Sequence, residues 1–393
     1  MESECLTVVM EEKRQNRIGI ITMYYNSSNY GGLLQAYALC KYLNDSGYPT
    51  KQITYDFYRK TISSSKDYKN LVSFLFKRLQ KRTNNLIIKT INIIHGVSEL
   101  RKDRRNICAE FRASIPHTET VYNDNSIEDC NNLFDIFIAG SDQVWNSRYN
   151  NGVDRAFFLD FTESPKISYA ASMGIDNFPP DEVTEVVSLL KRYRSISVRE
   201  NQTVRYMLDL GLSFVTQDLD PTLLLTAEDW KKIIRYRSKS QPQYLLVYSV
   251  EGNNNDFIFQ QASIIAREKG LKLYAVTAAD PFKLKKYNCD KIYAFAGVEH
   301  FVTLLADAAF VVASSFHGTA FSINFNKEFV TVAPRRYNIR LKSLAQQLEV
   351  SHRIITSHEV SICDLQPLDY EFINEKLNIC RMVSEDRLRS FLF

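Results

Sequence analysis

Long apolar runs, secretory features and paired cysteines are all missing from this 393-residue chain. No stretch approaches the roughly eighteen apolar residues of a helical membrane span, so none is expected. The first residues, MESECLTVVMEEKRQN, place acids where a signal peptide needs bases, and CLTVVM is too short for its hydrophobic region. The chain therefore reads as unexported and cytoplasmic. Its seven cysteines are odd in number and scattered, without CxxC or paired-ligand spacing, so reduced thiols are expected and neither a disulfide framework nor a metal site is. Repeats at solenoid periods and low-complexity tracts are also lacking.

Net charge is small, +4, but unevenly spread. Between Arg59 and Arg105 stand thirteen Lys and Arg against three acids (Asp67, Glu99, Asp103), so the remainder of the chain is net negative. VSFLFKRL and NLIIKTINIIHGV inside this segment suggest amphipathic helices. Its charges either face water or form a surface for anionic membrane or an anionic substrate. Peripheral contact with the inner membrane is the sharper expectation, and no nucleic-acid partner is indicated.

What is present is ordinary globular composition, 45% hydrophobic and 24% charged, in a chain long enough for two domains. IGIITM (Ile18 to Met23), a polar turn with glycines, the helical pattern LLQAYALCKYLND and a second strand from Lys51 to Phe57 make a β-loop-α-β start. Such a start predicts a doubly wound parallel sheet. FDIFIAGSDQVWN, KISYAASMG and SISVRE add strands, and the first pattern ends near DLDPTLLL (Asp218 to Leu225). A second α/β set follows from QYLLVYSV onward, and Tyr370 to Leu392 reads as one long helix. The predicted fold is α/β, two Rossmann-like domains with parallel sheets facing across a cleft. The expected boundaries are 1–16 as a flexible terminus, 17–222 with a basic helical excursion at 59–115, 223–365, and a last helix at 366–393 packing back on the first domain.

In open parallel sheets, ligands sit beyond the carboxyl ends of strands, where helix N-termini converge. VVASSFHGTAFSINF ends a strand, turns at His317 and Gly318, and starts a helix at Thr319. His317 should thus face the cleft, either as a satisfied, partly buried histidine or as an acid or base. Asn29, Tyr30, Gly31 and Gly32 occupy the corresponding place after the first strand. GSDQVW offers a carboxylate (Asp142), an amide (Gln143) and an aromatic face (Trp145) suited to a sugar ring. Arg199 stands at a strand end, where its bland reading is an ion pair with Glu200 or another acid. Arg335, Arg336 and Arg340 follow the last strand as a solvated turn or an anion clamp.

NYGGLLQAYAL, GSDQVWN, ISYAASMG, ISVRE, DPTLLL and SSFHGTAFSINF, in this order from about Ile18 to about Arg353, resemble the polysaccharide pyruvyl transferase family. The resemblance implies a fold like that of the GT-B glycosyltransferases, and transfer of a pyruvyl group from phosphoenolpyruvate to two hydroxyls of a sugar in a surface glycan or its lipid-linked precursor. It implies His317 as acid or base and Asp142 as a weaker candidate for the hydroxyl side. Arg199, Arg335, Arg336, Arg340, Ser315 and the amides near Gly318 and Thr319 would hold the donor in the second domain. Asn29, Tyr30, Gly31, Gly32, Gln143 and Trp145 would line the acceptor in the first. Phosphoenolpyruvate is a co-substrate, and no cofactor or metal is implied. Family members often carry arginine two positions before the motif histidine; here Ser315 stands there, so either another arginine takes its place or the donor differs. A glycosyltransferase using a nucleotide sugar and a non-catalytic glycan-binding relative are the alternatives.

Overall fold

A computed structural model describes residues 16–57, 106–234, 242–250, 255–277, 281–294, 296–333, 339–355 and 365–392. The proposed flexible terminus, most of the basic excursion, Arg335 and Arg336 lie outside the described residues.

The amino-terminal sheet has parallel strands in the order β2 (Thr50–Gln52), β1 (Ile18–Ile21), β3 (Ile136–Ala139) and β4 (Lys166–Ser168). Bridges from Ile167 to Ser195 and from Ala171 to Val198 attach a parallel pair, β5 (Ile196–Val198) and β6 (Val215–Gln217), to the β4 edge. The second sheet runs β12 (Ile354–Ile355), β11 (Glu328–Val332), β10 (Phe310–Ala313), β7 (Tyr244–Tyr248), β8 (Lys272–Thr277) and β9 (Lys291–Ala294), again all parallel. β1, β3, β7 and β10 are buried at every residue, which is why they read as continuous apolar runs rather than alternating ones.

The helices are α1 (Tyr30–Asp45), α2 (Val183–Leu190), α3 (Asn201–Asp209), α4 (Ala227–Ile233), α5 (Asn255–Glu268), α6 (Val298–Asp307), α7 (Phe316–Asn324), α8 (Ile339–Gln347) and α9 (Tyr370–Leu392). Single helical turns at Ser147–Asn150 and Pro221–Leu224 complete the parts that matter for the site. Every residue of α7 is buried, and its small side chains let it lie against both β10 and α6.

One apolar core joins the two domains. Tyr30 on α1 stacks on Phe301 of α6 with ring centroids 4.3 Å apart, and its hydroxyl donates to the Ala296 carbonyl. Trp230 packs edge-on against Phe321 of α7 at 5.0 Å and donates to the Thr222 carbonyl. α9 lies along the segment that links the sheets: Ser384 accepts from the Leu219 amide, and Arg387 and Arg381 donate to the carbonyls of Gln217 and Leu223.

Candidate active site

The loops that leave the carboxyl ends of β1, β3, β7 and β10 meet around one cavity of about 330 Å³ between the sheets. Asn29, Asp142, Gln143, Ser315, His317 and Arg340 line it.

His317 lies in the first turn of α7, held there by Ser315, whose side chain accepts from the Gly318 amide at 2.9 Å and caps the helix. The imidazole crosses to the other domain and rests on the first turn of α1. A Cβ at Gly31 would lie 2.0 Å from His317 Nδ1, so only glycine leaves room for the ring. The opposite nitrogen, Nε2, is 3.7 Å from Asp220 Oδ2 and has no hydrogen-bond partner. Asp220 is fully buried and caps the Pro221–Leu224 turn, its Oδ1 accepting from the Thr222 amide and hydroxyl. Its Oδ2 lies 2.7 Å from Arg199 Nη2, an ion pair that does not align as a hydrogen bond. Burial pushes the Asp220 carboxyl upward, but Arg199 and then His317 outweigh it and hold the group well below the usual carboxylate range.

Arg199 is 4% exposed and does not line the cavity. Its guanidinium lies 4.7 Å over the Phe316 ring and also donates to the Ser141 hydroxyl. Its expected alternative partner, Glu200, instead accepts from the hydroxyls of Ser172 and Thr203. Burial raises the Glu200 carboxyl, with Arg199 opposing. Arg340 approaches Phe316 from the other side at 5.9 Å and faces the cavity, with Nη1 3.8 Å from Asp142 Oδ1 and Nε unpartnered. Burial, followed by repulsion from Arg199, lowers its pKa.

Four expectations need correction. Trp145 is 1% exposed, stacks on Phe158 at 5.6 Å and donates to the Phe157 carbonyl, so it belongs to the core and offers no face to a sugar. Tyr30 is consumed by the domain interface described above. Gly31 and Gly32 are packing positions, Gly31 beneath His317 and Gly32 against the Met23 carbonyl, and neither lines the cavity. The amides of Gly318 and Thr319 are bonded to Ser315, and the Thr319 hydroxyl is 2.7 Å from that of Thr331, so these groups are not open to an anion. The sequence reading missed Asn146, Arg148 and Tyr149 on the cavity wall, and Asp220 beneath it. The D-P pair, an N-cap followed by proline at the first helical position, was the available signal for Asp220.

Among the described residues no group of three or more His, Cys, Asp or Glu gathers to hold a metal ion, and no helix is long and apolar enough to cross a membrane. No curated protein sequence matches the chain. The structure of the UDP-GlcNAc 2-epimerase from Methanocaldococcus jannaschii is similar at 11% identity with a TM-score of 0.53, covering 93% of this chain and 92% of that one. A putative UDP-N-acetylglucosamine 2-epimerase from Listeria monocytogenes is similar at 9% identity with a TM-score of 0.50, covering 96% and 89%. These likenesses are of fold, the GT-B type with two Rossmann-like domains. The model of the polysaccharide pyruvyl transferase family matches residues 29–336, a span that holds the cavity-lining residues named above apart from Arg340. The chain belongs to the polysaccharide pyruvyl transferase family and is a transferase.

Proposed function

We propose that the protein moves the pyruvyl group of phosphoenolpyruvate onto two hydroxyls of one sugar, in a surface polysaccharide or its lipid-linked precursor, to form a cyclic ketal. The observation that carries this reading is a cationic wall beside an imidazole: Arg340 faces the cavity with its Nε unpartnered, next to His317. A buried guanidinium with unmade bonds favours an anionic ligand, and phosphoenolpyruvate brings both a carboxylate and a phosphate.

The bonds balance without any change of oxidation state. A proton adds to C3 of the enol and turns its methylene into a methyl. The first sugar hydroxyl attacks C2, and the second displaces phosphate from the same carbon. The two hydroxyl protons end on the methyl group and on the departing phosphate. His317 is the group that delivers and receives a proton, and Asp142, 3.8 Å from Arg340, takes one from an attacking hydroxyl. Arg340 takes the place of the arginine that the family often carries where this chain has Ser315, and Arg335 and Arg336 belong to the same proposed donor set. On the acceptor side Asn29 and Gln143 supply hydrogen bonds, and Tyr149, 61% exposed at the cavity wall, supplies the aromatic face that Trp145 does not. We place the protein in the cytoplasm, with the basic segment against the anionic inner membrane; co-sedimentation with anionic vesicles that ignores added salt would oppose this.

The test is thermal unfolding with phosphoenolpyruvate. Ligand at a hundredfold excess over its Kd stabilises by about 2.7 kcal/mol. Arg340→Ala should lose most of that shift, since a charge-assisted bond is worth about 1.5–3 kcal/mol, a roughly tenfold to hundredfold loss of affinity. Stabilisation by UDP but not by phosphoenolpyruvate would overturn the reading.

A further inference from the structure

Asp220 touches neither the cavity nor solvent, yet its Oδ2 lies 3.7 Å from the buried Nε2 of His317. We propose that Asp220 is a positioning residue that fixes the tautomer of His317, with the proton on Nε2 directed toward the carboxylate and the lone pair on Nδ1.

The direction of the carboxylate is set before His317 is considered. Oδ1 is held by the Thr222 amide at 2.9 Å and hydroxyl at 2.6 Å, and Pro221 fixes the backbone that follows. Oδ2 is then pulled toward Arg199, which is itself pinned by the Ser141 hydroxyl and the Phe316 face. A carboxylate oxygen so fixed, 3.7 Å from a buried Nε2 with no hydrogen-bond partner, favours N–H there. The other tautomer would aim a lone pair at a negative oxygen and leave a buried acceptor unmade, which is the costlier arrangement. A small rotation of the ring closes the gap to hydrogen-bond length, as catalytic contacts do when a site fills.

The far edge of the ring is held as well. Nδ1 packs against Gly31, where a Cβ would lie 2.0 Å from it, so the ring is fixed between α1 and Asp220. The charged groups around the imidazole are Asp220 and Arg199 on one side and, across the cavity, Arg340 and Asp142. Asp220 is the nearest of them and the one aligned with a ring nitrogen.

The proposal supplies the orientation that the pyruvyl-transfer reading requires, but it is measured without any substrate. Imidazole nitrogens of the ¹⁵N-labelled full-length protein are observed by long-range ¹H–¹⁵N correlation, with His317→Gln assigning its signal among the six histidines. The expected result is the Nε2–H tautomer in the wild type, and in Asp220→Asn a mixture of the two tautomers, because the anion that favours N–H at Nε2 has been removed. An Nδ1–H tautomer in the wild type overturns the proposal, and this outcome needs no folded variant. A wild-type tautomer unchanged in a folded Asp220→Asn also overturns it. Phosphoenolpyruvate should stabilise Asp220→Asn at least as much as wild type, since Asp220 does not meet the donor and its loss frees the Arg199 charge; if it stabilises neither, the proposed reaction fails while the tautomer result stands.

Discussion

Gly31→Ala separates the two things that this glycine does, opening a helix and making room for an imidazole. The added methyl carbon would lie 2.0 Å from His317 Nδ1 and 2.5 Å from Cε1. Ordinary carbon contacts are about 3.5 Å or more, so the ring must retreat by roughly 1.5 Å. It cannot retreat freely, because Asp220 and Arg199 stand behind it and the Phe316 ring, 5.2 Å from its centroid, flanks it. Overpacking of this kind costs about 1–3 kcal/mol. Alanine in place of glycine within a helix returns roughly 1 kcal/mol. The net loss of about 0–2 kcal/mol would lower the melting temperature by no more than several degrees. Chemistry should suffer far more, because a misplacement of about 1 Å in a reacting group can cost 10²-fold. The control is Gly32→Ala, whose new carbon would meet the Met23 carbonyl at 3.0 Å and Asp142 at 3.6 Å without touching His317. Phosphate release from phosphoenolpyruvate should therefore fall about 10²-fold in Gly31→Ala while the melting temperature drops by no more than several degrees, and phosphate release should fall much less in Gly32→Ala. Equal turnover in Gly31→Ala and wild type would refute the placement of His317 at the reacting centre.

Trp145→Phe should lower stability by about 1–2 kcal/mol in denaturant unfolding, through the lost bond to Phe157 and a small void, and leave acceptor KM unchanged. Tyr149→Ala should do the reverse, raising acceptor KM roughly fivefold with little change in melting temperature or in phosphoenolpyruvate binding; unchanged kinetics would remove Tyr149 from the acceptor face. The acid limb of stability should carry Asp220: its folded carboxyl is depressed, so its contribution is complete above the unfolded value of about 3.9 and is lost as pH falls below that toward the folded one. Acid unfolding followed by circular dichroism should show a shallower limb below about pH 4 in Asp220→Asn than in wild type.

The central strands were legible because a parallel sheet covered on both faces leaves no room for polar residues, so IGII, IFIA, YLLVY and FVVA stand out without alternation. β6, β9 and β12 did not stand out: they are two to four residues long, and β9 is exposed or half-buried at every position. The cavity wall was legible where a strand end fixes direction, as at His317, Asp142, Gln143 and Asn29. Trp145 follows β3 by six residues on the same loop, yet its ring is turned inward by Phe157, Phe158 and Tyr193, partners twelve to forty-eight positions away that no local pattern announces. Tyr149 faces the cavity instead because the Ser147–Asn150 turn, capped by Asn146 and ended by left-handed Asn151, carries it back to the surface.

Arg199 and Arg340 look alike in the sequence, and only their surroundings divide their work. Both guanidiniums flank Phe316, but among the described residues Arg199 has a carboxylate at 2.7 Å and Arg340 has its ion-pair partner, Asp142, at 3.8 Å. Asp220 neutralises Arg199 at 2.7 Å, although Arg199 Nε and Nη1 make no hydrogen bond, and Glu200 beside the pair is pushed by burial toward its neutral form. Of these two arginines, it is Arg340 that has cavity surface and the less neutralised charge. Ser315 takes the Gly318 amide and so caps the N-terminus of α7, leaving that amide closed to an anion. The proposed donor site therefore draws its cation from Arg340 on α8 and its imidazole from His317 on α7.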